Sequence, residues 1–189
     1  MHRTETSPDR TCLSIRDATS RDVPEIAAIY DHYVRHGLAT FEETPPSPAE
    51  LADRQEAVRS LGLPYLVACR GDTAVGYCYA TAYRPRPAYR HTIENSVYVA
   101  DGMHGRGIGS ALMAELIARC ERGPWRQMIA VIGDSANTGS IGLHRKLGFR
   151  RIGALEGVGF KLGRWVDTVF MQRPLGAGKE RLPDDTGER

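Results

Sequence analysis

The sequence predicts an α/β domain in which a mixed sheet carries helices on both of its faces. Apolar residues recur at helical spacing in four segments, and seven other segments show the alternation or short apolar runs typical of strands. These segments follow one another in the order β-α-α-β-β-β-α-β-α-β-β. A sheet covered by helices on its two faces buries the apolar side of every element in such an order.

The chain is long enough for one domain with a sizeable core. It has 189 residues and shows neither an internal repeat nor a linker between domains. Residues 1–12 are polar and rich in turn formers, and residues 175–189 are charged and punctuated by glycine and proline. We therefore expect a single domain over residues 13–174 between two flexible tails.

Composition argues against several classes of protein. The formal net charge of +2 is too small to argue for nucleic acid or an anionic membrane as a partner. No apolar stretch is long enough to span a bilayer, and we expect no signal peptide. The four cysteines are widely spaced without a CxxC pair, which favours reduced core residues of a cytoplasmic protein over zinc ligands or disulfides. We expect no metal site.

The first elements are defined by their alternation and their caps. Residues 13–17 alternate apolar and polar, as a strand does. Thr19 can cap a helix that runs to about His36. Residues 47–50, Ser-Pro-Ala-Glu, form a capping box with proline at the first helical position, so a second helix is predicted to start there and to end near Gly62.

The remaining elements follow from apolar runs separated by turn residues. A turn at Gly71-Asp72 joins two strands into a hairpin, and Gly148 ends the last helix. The predicted strands are residues 65–70, 74–83, 92–99, 128–132, 149–155 and 164–172, and the predicted helices are residues 107–122 and 137–147.

A glycine loop precedes the third helix. Residues 104–110 read His-Gly-Arg-Gly-Ile-Gly-Ser and lie between a strand and a helix. Free N–H groups and the dipole at such a helix start favour an anion such as a pyrophosphate, and glycines let it approach the backbone closely. The GxGxG spacing matches neither the GxGxxG of dinucleotide folds nor the P-loop. On its own, the loop fits an anion site and a flexible turn equally well.

Two motifs together carry a resemblance to a known family. Residues 100–110 resemble the coenzyme A loop of the GNAT acetyltransferase superfamily, with Gly107 and Gly109 matching and His104 where glutamine or arginine is usual. Residues 143–149, Leu-His-Arg-Lys-Leu-Gly-Phe, resemble the superfamily's Leu-Tyr-x-Lys-x-Gly-Phe segment. The resemblance implies a mostly antiparallel central sheet, and it implies acetyl-CoA as the acetyl donor.

The resemblance narrows to one branch of the superfamily. Residues 30–41, 84–89, 93–99 and 159–167 are similar to phosphinothricin acetyltransferases and methionine sulfoximine acetyltransferases, and the similarity extends over about residues 13–174. It implies an enzyme that acetylates the α-amine of phosphinothricin or methionine sulfoximine. It also implies a homodimer in the cytoplasm.

Glu94 and His144 are the two candidate catalytic residues. Glu94 lies in a strand of apolar and small residues, where partial desolvation raises a carboxyl pKa, and an amine must lose its proton before it attacks a thioester. The resemblance implies that Glu94 is the general base; the alternative is a glutamate that faces solvent or pairs with an arginine. His144 takes the position at which many family members have a tyrosine that protonates the leaving thiolate. An acid, a second base and a packed structural histidine all remain open for it.

The resemblance also assigns binding residues. Arginines suit an acceptor with a second anionic group, because the guanidinium fork pairs with a carboxylate or phosphinate; plain solubility is the alternative. For Asn137 a helix cap is the alternative role. The expected cofactor-binding residues are Val97, Tyr98, Val99, Gly105, Arg106, Gly107, Ile108, Gly109, Ser110, Asn137 and Lys146, and the expected acceptor-binding residues are Phe41, Arg84, Arg86, Pro87, Ala88 and Tyr89. Lys161, Trp165 and Asp167 also match the family segment. The sequence leaves open whether they lie near the acceptor site or at the dimer contact.

Two other functions remain open at this point. A member of the superfamily can act on another amino acid, a polyamine or a protein N-terminus. A different class of protein, a regulatory module that binds CoA without turnover, also needs the glycine loop. The presence of both candidate proton-transfer residues argues against the regulatory module.

Overall fold

The computed structural model describes residues 12–183, which form one seven-stranded sheet with four helices. The strands are β1 (Leu13–Asp17), β2 (Tyr65–Arg70), β3 (Thr73–Ala82), β4 (Thr92–Val99), β5 (Gln127–Gly133), β6 (Arg150–Lys161) and β7 (Arg164–Pro174). The helices are α1 (Val23–His36), α2 (Pro48–Ser60), α3 (Ile108–Cys120) and α4 (Thr138–Lys146). The predicted α/β class and the predicted order of elements are confirmed.

The sheet contains one parallel pair of strands. Its order is β1-β2-β3-β4-β5-β7-β6, and every neighbouring pair except β4 and β5 is antiparallel. The parallel ladder is short, because it runs from Thr92 opposite Gln127 only as far as Asn95 opposite Ala130. Both strands continue beyond this point, so the described sheet is open between their ends.

Alternate side chains of the central strands face different helices. On one face, the ring centroid of Tyr98 in β4 lies 5.1 Å from those of Tyr77 in β3 and Tyr30 in α1. On the other face, the Cys78 thiol of β3 donates to the Leu112 carbonyl of α3 at 3.5 Å. The core therefore has two layers, with α1 on one side of the sheet and α3 on the other.

A glycine lets α3 lie close to the sheet. A Cβ at Gly76 of β3 would stand 2.9 Å from the Tyr98 carbonyl oxygen and 3.2 Å from side-chain atoms of Ile108 and Leu112. Because close-packed interiors have no room for such an atom, any larger residue would push away the first turns of α3. Gly76 thus helps to fix the N-terminus of α3 beside β4.

One buried carboxylate holds together the segment that leads into α1. Asp22 is 5% exposed, and its oxygens accept hydrogen bonds from the Arg16 guanidinium at 2.7 Å and from the Thr19 N–H at 2.6 Å. Thr19 caps a short 3-10 helix, Ser20–Asp22, that leads directly into α1. The hydrogen bond from Arg16 lowers the pKa of Asp22 to about 2.

The last hairpin is longer than predicted. The sequence predicts that β6 ends at residue 155, but the strand continues to Lys161. Glycines at positions 157 and 159 and an exposed outer face remove the alternation by which a strand is recognised. Pairing with β7 across a turn at Leu162 and Gly163, both with positive φ, holds this half of β6 in place.

The C-terminal boundary of the domain also lies later than predicted. Leu175 is fully buried, and its N–H donates to the Arg126 carbonyl at 3.0 Å, so a residue assigned to the flexible tail belongs to the core. The Gly178 N–H then closes a turn onto the Leu175 carbonyl at 2.9 Å. Residues 1–11 and 184–189, which were also assigned to tails, lie outside the described residues.

Residues 12–183 show neither the features of a membrane-spanning helix nor those of a metal cluster. No helix in this range combines the length and apolar character that crossing a membrane requires. Nor does the range bring three His, Cys, Asp or Glu side chains into a group that could hold a metal ion. Cys69, Cys78 and Cys120 are buried free thiols, and Cys12 is exposed.

Replacing Asp22 with asparagine is expected to destabilise the protein by about 1–2 kcal/mol at pH 7, because Arg16 loses its charged partner. The pKa of Asp22 is depressed in the native state, so its stabilisation is complete above the unfolded pKa of about 3.9 and is lost as pH falls toward about 2. Urea unfolding should therefore show a smaller penalty at pH 3 than at pH 7.

The control is Asp17→Asn, which removes an exposed ion pair with Arg119 and should cost under about 0.5 kcal/mol. Equal losses in the two variants at pH 7 would contradict the importance of Asp22.

Candidate functional site

A cavity of about 500 Å³ lies in front of the N-terminus of α3. Gly107 precedes this helix in the left-handed conformation, with a φ of 79°, and no side chain of the described residues caps the helix. Ser47 and Asn137, by contrast, cap α2 and α4 with their side chains. The unbonded N–H groups and the helix dipole make this end of the cavity an anion site.

A narrower cleft of about 50 Å³ lies where β4 and β5 part. Its walls are residues 95–98 of β4 and residues 130–133 of β5, with His144 of α4 along one side. The cleft and the larger cavity form a single groove, because they share the lining residues Ala39, Val97, Asn137 and Ser140. A long, thin ligand with an anionic end fits this shape.

Most of the predicted cofactor-binding residues line the groove. Arg106 does not, because it lies between the left-handed glycines Gly105 and Gly107 and its side chain is exposed. The residues that line the larger cavity include Val97, Val99, Gly105, Gly107, Ile108, Gly109, Ser110, Asn137 and Lys146, and Tyr98 lines the narrow cleft.

Tyr33 of α1 takes part in the groove, although the resemblance of residues 30–41 assigns it no role. Its hydroxyl donates to the Val99 carbonyl at 2.7 Å and accepts from the Val99 N–H at 3.3 Å. Val99 is one of the expected cofactor-binding residues, and here the Tyr33 hydroxyl occupies both of its backbone groups. Helical spacing locates the tyrosine in α1, but only the fold brings it to β4.

Glu94 and Val97 point to opposite faces of β4. Successive side chains of a strand alternate between its faces, and these two residues are three positions apart. In the ladder it stands opposite Thr81 of β3. Burial raises the pKa of its carboxyl group above the ordinary value, and the nearby Arg84 guanidinium offsets part of that rise. A carboxylate with a raised pKa can take up a proton nearer to neutral pH.

An aromatic pocket of about 260 Å³ lies between α2 and the face of the sheet that carries Glu94. Its charged rim is held by Glu42, which bonds Arg54 at 2.7 Å and accepts from the Tyr30 hydroxyl at 2.9 Å. The pocket thus offers aromatic surface and a paired guanidinium on the side of the sheet that carries Glu94. Its lining residues are Tyr30, Leu51, Arg54, Ala57, Val58, Leu61, Tyr65, Tyr77, Tyr79 and Thr81.

His144 is buried with both ring nitrogens bonded. Its Nδ1 lies 2.8 Å from the Ser140 carbonyl oxygen, which can only accept, so Nδ1 carries the proton. Its Nε2 accepts from the Asn95 amide nitrogen at 2.9 Å. The ring is therefore the neutral Nδ1–H tautomer, and burial lowers its pKa below the ordinary value. A ring bonded in this way has no free proton to give to a leaving group.

Asn95 is a second residue of the groove that sequence reasoning missed. It is 5% exposed, lines the narrow cleft and binds His144 through Nδ2. Its Oδ1 finds no hydrogen-bond partner within residues 12–183. The available signal was an amide side chain in a strand of largely apolar residues, directly beside Glu94.

The predicted acceptor-binding residues lie outside the three cavities. Phe41 is 42% exposed, and its ring rests on Gly159 of β6. Arg84, Arg86, Pro87, Ala88 and Tyr89 belong to an exposed loop that contains a short 3-10 helix. Of this loop, Arg84 is the residue whose charge reaches Glu94.

The three residues whose place the sequence leaves open are separated by the fold. Lys161 is 2% exposed and points inward. Trp165 is 68% exposed, and its ring meets that of Phe160 edge-on at 5.2 Å. Asp167 accepts from the Gly157 N–H at 2.9 Å, which ties β7 to β6 where their pairing is irregular.

Comparison with known proteins gives consistent matches. Residues 26–149 match the Acetyltransferase (GNAT) family. A phosphinothricin N-acetyltransferase from Alcaligenes faecalis is 55% identical over 175 residues, which are 93% of this chain and 89% of that protein. An L-methionine sulfoximine/L-methionine sulfone acetyltransferase from Pseudomonas paraeruginosa is 43% identical over 166 residues, 86% of this chain and 94% of that protein.

A solved structure shares the fold. The GNAT superfamily phosphinothricin acetyltransferase from Sinorhizobium meliloti, crystallised in complex with AcCoA, superposes with a TM-score of 0.89. It is 48% identical, and the match covers 93% of this chain and 95% of that chain. The family resemblance and the mostly antiparallel sheet are confirmed.

We expect the His144 ring to have a pKa below the ordinary value of about 6.5, because burial and the Asn95 N–H both favour the uncharged ring. Asn95→Asp should reverse this, since a carboxylate facing Nε2 favours the imidazolium and raises the pKa of His144. Nitrogen-15 NMR of the ring during a pH titration measures the tautomer and the pKa, with His144→Gln identifying the signal. A wild-type ring that titrates at 6.5 or above would contradict this geometry.

Proposed function

This chain belongs to the acetyltransferase (GNAT) family, and we propose that it moves the acetyl group of acetyl-CoA to the α-amine of an amino acid such as phosphinothricin or methionine sulfoximine. Relatives that are 55% and 43% identical are named for these acceptors. The observation that carries the proposal is the groove, which has an uncapped helix start at one end and Glu94 on the far face of its strand.

The groove has the features that acetyl-CoA requires. The first N–H groups of α3 suit its pyrophosphate, and Lys146 adds a positive charge at the same cavity. Where β4 and β5 part, the backbone of Val97 is available to the amides of the pantetheine arm, as a strand edge is to an added strand. When bound, acetyl-CoA supplies a thioester whose carbonyl carbon is open to attack by an amine.

Glu94 is the proposed general base. An α-amine is largely protonated at neutral pH, and a carboxylate whose pKa is raised by burial is better matched to remove that proton. Glu94 takes up the proton that the nitrogen loses as the N–C bond forms and the C–S bond breaks. The sulfur leaves with its electron pair as a thiolate, whose conjugate acid has a pKa of about 8.5.

His144 is proposed to have a structural role, in which it fixes the shape of the cleft, rather than to supply a proton. Its two ring nitrogens bond Ser140 and Asn95, so the ring joins α4 to β4 at the point where the sheet opens. An acid role would need a second proton on Nε2, against a pKa that burial lowers.

The acceptor is proposed to bind on the Glu94 face of the sheet. The aromatic pocket under α2 offers a site for its carbon chain, and Phe41 walls the approach. Arginines pair well with a second anionic or strongly polar group, and the proposed partners stand on the loop that holds Arg84, Arg86, Pro87, Ala88 and Tyr89. The influence of Arg84 on the pKa of Glu94 supports this loop being near the reacting amine.

We further propose that two copies pair as a homodimer in the cytoplasm. Six large apolar side chains of the last hairpin are at least half exposed: Ile152, Leu155, Val158, Phe160, Leu162 and Trp165. An exposed apolar surface of this kind marks a contact with another protein, and the same surface pairs with itself across a twofold axis. The buried free thiols suit a reducing compartment.

Glu94→Gln should bind acetyl-CoA as the wild type does but lose about 100-fold or more in kcat/KM, because an amide cannot take up the proton.

In the wild type, kcat/KM should rise with pH through an apparent pKa above 4.5, since the deprotonated carboxylate is the active form. Arg84→Gln removes a charge that lowers this pKa, so its acid limb should move to higher pH. Calorimetry with acetyl-CoA and thiol-release kinetics test these points, and unchanged kcat/KM in Glu94→Gln would sink the assignment.

Thiol release with a panel of amines tests the acceptor. We expect kcat/KM to be at least about tenfold higher for phosphinothricin and methionine sulfoximine than for ordinary amino acids, polyamines or peptide N-termini, because a lost polar contact costs about that factor. Arg86→Ala should raise KM for the acceptor about tenfold and leave KM for acetyl-CoA unchanged.

Equal shifts in the two KM values would contradict the role of Arg86. Tight acetyl-CoA binding without acetylation of any amine would favour a regulatory module instead.

A further inference from the structure

Residues 38–42 form a loop, the clamp loop, that follows α1 and crosses the end of β5. Its residue Ala39 lines both the larger cavity and the narrow cleft of the groove. Two residues further on, Phe41 stands exposed against β6. The clamp loop therefore touches the donor groove with one residue and borders the proposed acceptor side with another.

Lys161 fastens the clamp loop from inside the protein. Its side chain is buried, and its Nζ donates to the Thr40 carbonyl at 2.8 Å and to the Tyr33 carbonyl at 3.3 Å. A buried ammonium is costly unless it is hydrogen-bonded, and these two carbonyls supply hydrogen bonds while the nearby Glu42 and Glu43 charges also favour the cation. One cation thus joins the last turn of α1 to the middle of the clamp loop.

Two glycines let the clamp loop lie directly on the sheet. A Cβ at Gly133 of β5 would collide with the Leu38 carbonyl oxygen. A Cβ at Gly159 of β6 would stand 2.6 Å from Cε1 of Phe41. Neither glycine has a positive φ, so close contact with the clamp loop, and not backbone conformation, is what requires glycine at these positions.

The other side of the clamp loop is bonded to the aromatic pocket. The Thr40 hydroxyl lies 2.8 Å from the Tyr30 hydroxyl, which also donates to Glu42. Glu42 in turn binds Arg54 on the pocket rim. In the opposite direction, Tyr33, whose carbonyl Lys161 holds, reaches Val99 in the groove with its hydroxyl. Contacts of the clamp loop therefore extend to both sites.

We propose that the clamp loop is a wall shared by the acetyl-CoA groove and the acceptor site, and that Lys161 is the positioning residue that fixes it. The inference rests on the proposed function for the identity of the two ligands. Lys161 sets the distance between the donor groove at Ala39 and the acceptor side at Phe41, because it holds the backbone between them. It touches neither ligand and acts through the loop.

Three variants separate the two ends of the clamp loop. Lys161→Met removes the hydrogen bonds to Thr40 and Tyr33, so it should raise both the Kd for acetyl-CoA and the KM for the acceptor by about fivefold or more. Gly159→Ala displaces only Phe41, so it should raise the acceptor KM alone by a similar factor. Gly153→Ala is the matched control in the same strand, because a Cβ there meets nothing within 4 Å and φ is not positive. It should leave all constants within about twofold.

Hydrogen exchange gives a readout that does not need turnover. In folded Lys161→Met, amides of residues 38–42 should exchange at least about tenfold faster, while those of α2 are unchanged.

Wild-type kinetics with acetyl-CoA and phosphinothricin are measured first, since absent turnover would refute the proposed function and leave the exchange result to decide on Lys161. Unchanged exchange in Lys161→Met would overturn the inference, as would an acceptor KM in Gly159→Ala equal to that of Gly153→Ala. Should Lys161→Met fail to fold, Lys161→Gln, which also removes the charge, takes its place in both measurements, and the glycine variants decide on Phe41.

Discussion

The parting of β4 and β5 after Asn95 and Ala130 is the constraint on which the rest of the site depends. Backbone groups exposed inside a sheet must find partners, and a cleft lined by two strand edges offers them to a ligand or a side chain. The Tyr33 hydroxyl takes those of Val99. Because neighbouring residues of a strand face opposite sides, the same opening puts Glu94 on one face and Asn95 with His144 on the other.

The helix starts around the opening differ in whether a side chain caps them. Side chains of Ser47 and Asn137 satisfy the first N–H groups of α2 and α4, as expected where a helix only has to begin. At α3 the same groups stay free behind the left-handed Gly107. The absence of a cap at α3 leaves room for an anion, since a capping oxygen would occupy that position.

The buried ionisable groups differ in what shifts their pKa values. Arg16 and Thr19 lower the pKa of Asp22, so that its charge stabilises the fold at neutral pH. Burial raises the pKa of Glu94 and lowers that of His144, which disfavours the charged form in each. The charged form of Glu94 therefore weakens the fold relative to a neutral replacement, and the neutral His144 stands with it beside the opening between β4 and β5. Perturbed pKa values of this kind mark a candidate functional site.

Signals that act over a few residues were readable from the sequence. Caps, alternation and the glycine loop predicted the elements and the free N–H groups at the start of α3, and a carboxylate in an apolar strand predicted the raised pKa of Glu94. Contacts between distant segments were not readable. The second half of β6 is a strand because β7 pairs with it, and Leu175 is core because the Arg126 carbonyl binds it. Tyr33 at Val99, Asn95 at His144 and Lys161 at Thr40 join residues far apart in the chain, so only the tertiary structure decided which polar groups meet.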